Sequence, residues 1–281
     1  MQITKEMLKE WNACSSGYEW FLNHFPEGGE LQDVLSKCAD ESEIGYAQWL
    51  IKKAGPVDAV YEADEITGKH FFFAGRISCK SIAIEGFLLA GEGIEAGCGI
   101  EAGWGIEAGS SIEAGWGIEA GSGIKAGEGI EAGSSIEAGS SIKAGEGIKA
   151  GEGIEAGRGI KAGSSIKAGE GIKAGWGIKA GSSIKAGEGI KAGWGIKAGS
   201  SIKAGEGIEA GSSIEAGSSI KAGEGIEAGR GIKAGSSIEA GDDYGVFAAL
   251  RIKISQWSTY GKVSAKTKPQ NLISGFFEEL K

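Results

Sequence analysis

The sequence predicts a mainly β protein. It reads as a three-sided parallel β-solenoid with 18 residues per coil and about nine coils, a small α-helical N-terminal domain and a β-rich C-terminal cap. Three observations predict this. The chain of 281 residues holds 53 glycines but 3 prolines, and 41% of it is hydrophobic. A hexad (Leu/Ile, Glu/Lys, Ala, Gly, a variable residue, Gly/Ser) runs unbroken from Leu88, with Ile at every sixth position from Ile94 to Ile238. The pair of residues before each Ile recurs every third hexad, as Glu-Gly, Trp-Gly, Ser-Ser does between Glu170 and Ser201. The first observation excludes collagen, which needs abundant Pro, and a flexible polar linker. The second is an internal repeat, and the third sets one hexad per side of a triangular coil.

The helical part comes first. Residues 1–56 carry apolar positions at helical spacing: Met7, Leu8, Trp11 and Cys14, then Trp20, Phe21 and Leu22. Leu31, Val34 and Leu35 follow, then Ala47, Trp49, Leu50 and Ile51. This predicts three helices, broken at Phe25-Pro26-Glu27-Gly28-Gly29. Residues 57–81 read as a strand-rich N-terminal cap, with His70 beside Phe71–Phe73 as a cap residue.

Residues 82–243 are the solenoid. Side chains alternate across a strand, so Ile and Ala of each hexad point inward and Glu/Lys points outward. Ala has no larger replacement in the regular hexads, which implies a cramped inward site. The invariant Gly falls at the corner, where a positive φ is expected. The variable residue stands on the rim. Nine coils at about 4.8 Å each predict a rod of about 40–45 Å. Residues 244–281 are the C-terminal cap, with a strand over 246–254 and a terminal helix over 273–280. Both caps are expected to cover the open ends of the coil.

Charge is uneven. The whole chain is −9. Residues 1–81 carry 8 basic and 13 acidic residues, residues 82–243 carry 15 and 23, and residues 244–281 carry 6 and 2. An acidic body argues against direct nucleic-acid binding. Stacking brings Lys149, Lys167, Lys185, Lys203 and Lys221 into one column. It brings Glu152, Glu170, Glu188, Glu206 and Glu224 into another, three residues later. The two columns can neutralise each other. Alternatively the carboxylates mimic the phosphates of a nucleic acid.

The third edge is the most unusual. Its rim residues are Trp104, Ser122, Ser140, Arg158, Trp176, Trp194, Ser212 and Arg230. Trp and Arg dominate binding hot spots and can also pair as cation and ring. Trp104, Arg158, Trp176, Trp194 and Arg230 are therefore the candidate binding residues, against the alternative that each Trp lies flat over bare glycine backbone. Trp116 falls on a different edge.

Chemistry has little to work with. The repeat contains no His, and repeated residues see nearly equal environments, whereas an acid–base pair needs unequal ones. No catalytic residue, cofactor or metal site is expected. Cys14, Cys38, Cys79 and Cys98 lie far apart without CxxC spacing and read as free thiols. The opening residues show no export signal and no apolar run is long enough to span a membrane. A cytoplasmic location is expected.

Ile-Glu-Ala-Gly-Ser-Ser resembles the hexapeptide repeat of the left-handed β-helix acyltransferases, roughly [LIV]-[GAED]-x-x-[STAV]-x with three hexads per coil. The resemblance covers about 150 residues and implies a triangular prism. The site two before Ile is often Glu, Trp or Arg here, where that family has a small residue. The acyltransferase catalytic His and protruding loop have no counterpart, so that activity is not implied. The opening Met1-Gln2-Ile3-Thr4-Lys5-Glu6-Met7-Leu8-Lys9-Glu10-Trp11, with Gly17-Tyr18-Glu19-Trp20-Phe21 and Phe25-Pro26-Glu27-Gly28, is similar to a short helical module of uncharacterised bacterial and phage proteins. It implies a bacterial or mobile-element setting.

The functional expectation is a non-enzymatic scaffold or spacer that binds a protein partner through the Trp/Arg edge or the terminal caps. Homo-oligomerisation through the caps is compatible with it. The alternative is an inhibitor that mimics nucleic acid through Glu152–Glu224. Ice binding is disfavoured because Thr occurs only at positions 4, 67, 259 and 267.

Overall fold

The computed structural model describes residues 1–281. The repeat forms a three-sided parallel solenoid, each hexad giving one short strand. Face 1 holds strands such as Ile94–Ala96 and Ile112–Ala114, face 2 Ile100–Ala102 and Ile118–Ala120, and face 3 Gly105–Ala108 and Ile124–Ala126. Within the repeat, strands pair in parallel with those 18 residues away, Ile over Ile and Ala over Ala. All the repeat Ile and Ala side chains up to Ile238 are buried. The intervening Glu or Lys points outward, and the inside/outside assignment read from the sequence holds.

There are twelve coils, not nine. Face 3 is a sheet of twelve strands, from Phe71–Phe73 to Phe276–Glu279. The hexads miss three of them because the chain enters and leaves the coil with different spacing. Phe72 pairs with Leu89, Ile232 with Val263 and Val263 with Phe277. The flanks thus continue the solenoid with their own strands, and the rod is about 55 Å long. Val60–Gly68 and Arg76–Ile84 pair in parallel over nine-residue strands. Arg76–Ile84 bends across two sides, joining Ile94–Ala96 on face 1 and Ile100–Ala102 on face 2.

Three local expectations are corrected. The corner glycines do not have positive φ; only Gly28, Gly55, Gly68 and Gly275 do. The hexad glycine is required because the coil beneath comes too close. A Cβ at Gly163 would collide with the carbonyl oxygen of Gly145, and the same holds for Gly181 over Gly163. At the Gly/Ser position the space is ordinary: a Cβ at Gly147 would stand 3.6 Å from Ser165 O, which is why Ser can alternate there. The predicted terminal helix over 273–280 is instead the strands Leu272–Ser274 and Phe276–Glu279, since Phe277 and Leu272 are drawn into the end of the core. The predicted strand over 246–254 is strand only at Val246–Phe247. The chain then leaves the coil through a 3-10 turn (Ile254–Gln256) and a short helix (Trp257–Tyr260) before rejoining it at Lys262–Ala265.

The N-terminal domain has four helices rather than three: α1 (Lys5–Glu10), α2 (Ser15–His24), α3 (Leu31–Glu41) and α4 (Ile44–Ala54). Asn12 adopts a left-handed conformation (φ 58°) between α1 and α2 and divides the first apolar group, which reads as one helix; Ser42 (φ 63°) ends α3 in the same way. Thr4 caps α1, its Oγ1 accepting from Met7 N at 3.3 Å. Gln2–Ile3 pairs antiparallel with Gly29–Glu30 and closes the domain.

This domain leans on the outer side of face 3 rather than forming a lid on the end of the rod. Its core of Leu8, Phe21, Leu31, Leu35 and Leu50 continues into Phe72, Ala74 and Leu89. Phe72 and Leu89 occupy the outward position that Glu107 takes one coil later. Gln32 fixes the contact, donating to Phe72 O at 2.8 Å and accepting from Ala74 N at 3.2 Å. Gln48 donates to Glu107 Oε2 at 2.6 Å. The bore itself is closed by aromatic side chains. Phe71 and Phe73 pack under Tyr61 at one end, and Phe277 packs against the core at the other.

Candidate functional site

Three corners run along the rod. Each carries one column of variable residues, set by backbone hydrogen bonds between coils. On the corner between faces 2 and 3, Trp176 N donates to Arg158 O at 2.7 Å, Trp194 N to Trp176 O at 2.6 Å and Arg230 N to Ser212 O at 2.8 Å. The column read from the sequence (Trp104, Ser122, Ser140, Arg158, Trp176, Trp194, Ser212, Arg230) is thus one physical line. Trp176 is 70% and Trp194 66% exposed. These indoles are displayed to solvent, not folded into the rod. A corner places its side chain at the most convex point of the coil, with no neighbouring strand to cover it.

The column is not uniform. Trp104 packs edge-on against His70, with ring centroids 5.4 Å apart. Ser212 is buried, and Arg251 N donates to Gly229 O at 3.0 Å as the C-terminal excursion passes over that corner. The free stretch therefore runs from Ser122 to Trp194. Arg158 stacks on neither Trp176 nor Trp194; the cation–ring contact in the molecule is Lys9 over Tyr18 at 5.6 Å. The cation–π pairing open to these residue types is not formed on this edge, where both groups extend outward from the convex corner.

The corner between faces 1 and 2 carries Cys98, Trp116 and Ser134 and then Glu152, Glu170, Glu188, Glu206 and Glu224. The Lys149–Lys221 column lies beside it on face 1, in the register Lys149↔Lys167↔Lys185↔Lys203↔Lys221. The two columns do not pair with each other. Ion pairs instead form within a column between Glu and Lys one coil apart: Lys173–Glu155 at 2.7 Å, Lys191–Glu209 at 2.7 Å, Lys197–Glu215 at 2.8 Å and Lys221–Glu239 at 3.0 Å. Side chains on one face run parallel and one coil apart, whereas neighbours across a corner diverge. The pair with Glu209 raises the Lys191 pKa, and the pair with Glu215 raises that of Lys197.

A second lysine row escaped the sequence reading. Face 3 carries Lys125, Lys143, Lys161, Lys179 and Lys197 in successive coils, between Glu107 and Glu215. The signal was present in the same period-18 arithmetic.

The remaining candidates lie apart from these columns. His70 is a joint between helical domain and rod. Its Nδ1 accepts from Phe87 N at 2.8 Å, so the ring is neutral, and Nε2 lies 3.1 Å from Ser42 Oγ. Burial, and then Lys69, lowers its pKa. The four cysteines are unpaired. Cys38 is buried and its thiol is pushed up to about 12 by desolvation, with Glu43 and Glu41 adding to it. Cys14 is exposed, and its pKa is lowered by Ser16 and by the backbone N–H of Gly17. Cys14 stands at an apolar cleft of about 360 Å³ lined by Leu8, Trp20, Phe21, Tyr46 and Trp49. No helix is long and apolar enough to cross a membrane.

The comparisons divide the chain at the boundary between helices and rod. Residues 1–55 match the YdhT N-terminal domain. That stretch holds β-paired Gln2–Ile3, all four helices and the apolar cleft. The uncharacterised protein YdhT of Escherichia coli strain K12 is 37% identical over 54 residues, which is 19% of this chain and 20% of that protein. The similarity thus spans about a fifth of the curated relative. No solved structure matches the chain significantly. The family match thus covers the helical domain and ends before the first strand of the rod, Val60–Gly68.

Proposed function

We infer that the protein is a non-enzymatic scaffold that binds a protein partner along the corner between faces 2 and 3. One observation carries this reading: Trp176 and Trp194 stand one coil apart, fixed by a backbone hydrogen bond, and both remain about two-thirds exposed. Isolated exposed apolar residues are ordinary, but adjacent exposed indoles with Arg158 in line have the composition of a binding hot spot. Rigid presentation lowers the entropy lost on association. The fold suits a spacer as well, because each coil contacts only its neighbours.

Nucleic-acid mimicry is less well supported. The Glu152–Glu224 column has the Lys149–Lys221 column at its side, so its field is partly cancelled. A bacterial or mobile-element origin rests on the helical module alone.

The test uses Trp176→Ala with Trp194→Ala. Partner capture from the native host should be lost in this variant and retained in Trp116→Ala, whose indole is 68% exposed on a different corner. Capture that survives the double substitution would move binding to the helical domain or the C-terminal cap.

A further inference from the structure

The corner that carries Trp176 and Trp194 borders a shallow groove. The groove runs lengthwise along face 3 and has a volume of about 530 Å³. Trp194 lines one side, and Lys143, Lys161, Lys179 and Lys197 line the other. Gly159, Gly177 and Gly195 form its floor, and Ser141 and Ser213 stand at its two ends. The sequence dictates this shape. Three successive coils read Trp or Arg, then Gly, Ile and Lys: Arg158–Lys161, Trp176–Lys179 and Trp194–Lys197. Alternation along the strand turns Ile inward and Lys outward, so bare glycine lies between the corner side chain and the ammonium group.

The groove is basic. In these three coils, face 3 and the corners on either side of it hold Arg158, Lys161, Lys179 and Lys197 and no acidic residue. Beyond the Ser164 corner, face 1 adds Lys167, Lys185 and Lys203. Acids bound the patch lengthwise: Glu128 and Glu146 precede Ser164 on its corner, and Glu215 follows Lys197. Across the Trp corner, face 2 brings Glu155, already paired with Lys173 at 2.7 Å. The face 3 lysine row is paired at its ends, Lys125 with Glu107 and Lys197 with Glu215. Lys143, Lys161 and Lys179 between them make no ion pair.

We propose that the partner enters this groove as an acidic amphipathic helix lying along the rod. Its carboxylates face Lys143, Lys161 and Lys179, and an apolar stripe beside them packs on Trp176 and Trp194. The inference rests on the partner binding proposed above and names its chemistry. Spacing selects a helix. The three free ammonium groups span two coil steps, about 9.6 Å. Carboxylates at i, i+4 and i+7 of a helix span about 10.5 Å, and the flexible lysine stems absorb the difference. An extended peptide puts same-side groups about 6.7 Å apart, so three of them overshoot to about 13 Å. Strand addition is closed to it as well, because the strands cross the groove and pair with one another from coil to coil. A nucleic-acid strand fits less well. Indoles about 4.8 Å apart cannot admit a base between them, since a ring needs about 3.5 Å on each face. A longer polyanion would also run onto Glu128, Glu146 and Glu215.

Selection of a displayed random peptide library on the full chain tests this. The peptides have about 14 residues, enough for about four helical turns. Those enriched should carry Asp or Glu at i, i+4 and i+7, with Leu, Ile or Phe on the adjoining stripe. A labelled synthetic copy of the most enriched peptide should gain helical circular dichroism on binding. Its affinity should fall about tenfold or more in Lys161→Glu, Lys179→Glu and in Trp176→Ala, Trp194→Ala. It should also fall as salt rises from about 0.05 to about 0.5 M. Lys167→Glu, Lys185→Glu makes the same charge change on face 1 and should keep the affinity within about threefold. Unchanged thermal midpoints show that the variants fold. Enriched peptides without an acidic stripe, or binding that Lys161→Glu, Lys179→Glu leaves intact, overturn the proposal. So does capture of the native partner that this variant retains but Trp176→Ala, Trp194→Ala loses; the partner reading then stands without its acidic helix. Capture retained by Trp176→Ala, Trp194→Ala overturns both. A short oligothymidylate bound in place of acidic peptides, and lost in Lys161→Glu, Lys179→Glu, would assign the groove to nucleic acid instead.

Discussion

Gly163 lies directly over Gly145, so close that the carbonyl oxygen of Gly145 occupies the place a side chain on Gly163 would need. This relationship repeats along all three corners and explains why one glycine of the hexad is invariant and the other is not. Gly163→Ala should therefore be destabilising by about 1–3 kcal/mol or more, the range for forced overpacking, because the obstacle is backbone and cannot rotate away. Gly147→Ala, with 3.6 Å to the nearest oxygen, should change stability little. Denaturant midpoints of the two variants check this. Equal midpoints would remove close approach as the reason for the invariant glycine.

His70 gives the junction between helical domain and rod a pH dependence. Its folded pKa lies below the ordinary value of about 6.5, chiefly because of burial. The unfolded chain then binds more protons as pH falls, so the contribution of His70 is complete above about pH 6.5 and is lost toward lower pH. The acceptor role of Nδ1 toward Phe87 N gives the structural reason, since a protonated ring cannot accept. Thermal unfolding should show a lower midpoint for the helical domain near pH 5 than near pH 7.5. In His70→Asn, whose carbonyl oxygen can replace Nδ1 as acceptor, this difference should shrink.

Thiol reactivity should divide the cysteines. Cys14 is exposed and its thiol is favoured as thiolate by Ser16 and the N–H of Gly17, whereas Cys38 is buried and held protonated, its pKa about 12. Iodoacetamide at neutral pH should modify Cys14 first and leave Cys38 untouched until the domain unfolds, as read by peptide mass spectrometry. Cys79, raised by burial, should lag behind Cys14. Early labelling of Cys38 would mean that the helical core opens under native conditions.

Much of this architecture is legible in the sequence. The invariant Ala, the β-branched Ile and the period of 18 fixed faces, corners and the order of residues on each, down to Trp176 beside Trp194. The arithmetic works because an uninterrupted repeat leaves one register possible: a slip of one residue would turn every Ile outward.

The repeat's fold and the content of its three corners follow from local alternation and strict period alone. The remaining features arise from contacts distant in sequence. Twelve coils could not be counted from the hexads, since Phe72, Val263 and Phe277 join the ladder through spacings of their own. The helical domain's seat on the outside of face 3 depends on Phe72 and Leu89 standing where the repeat has charge. Which charges are paired depends on whether neighbours run parallel on a face or diverge at a corner. That is a property of the closed triangle and not of any hexad.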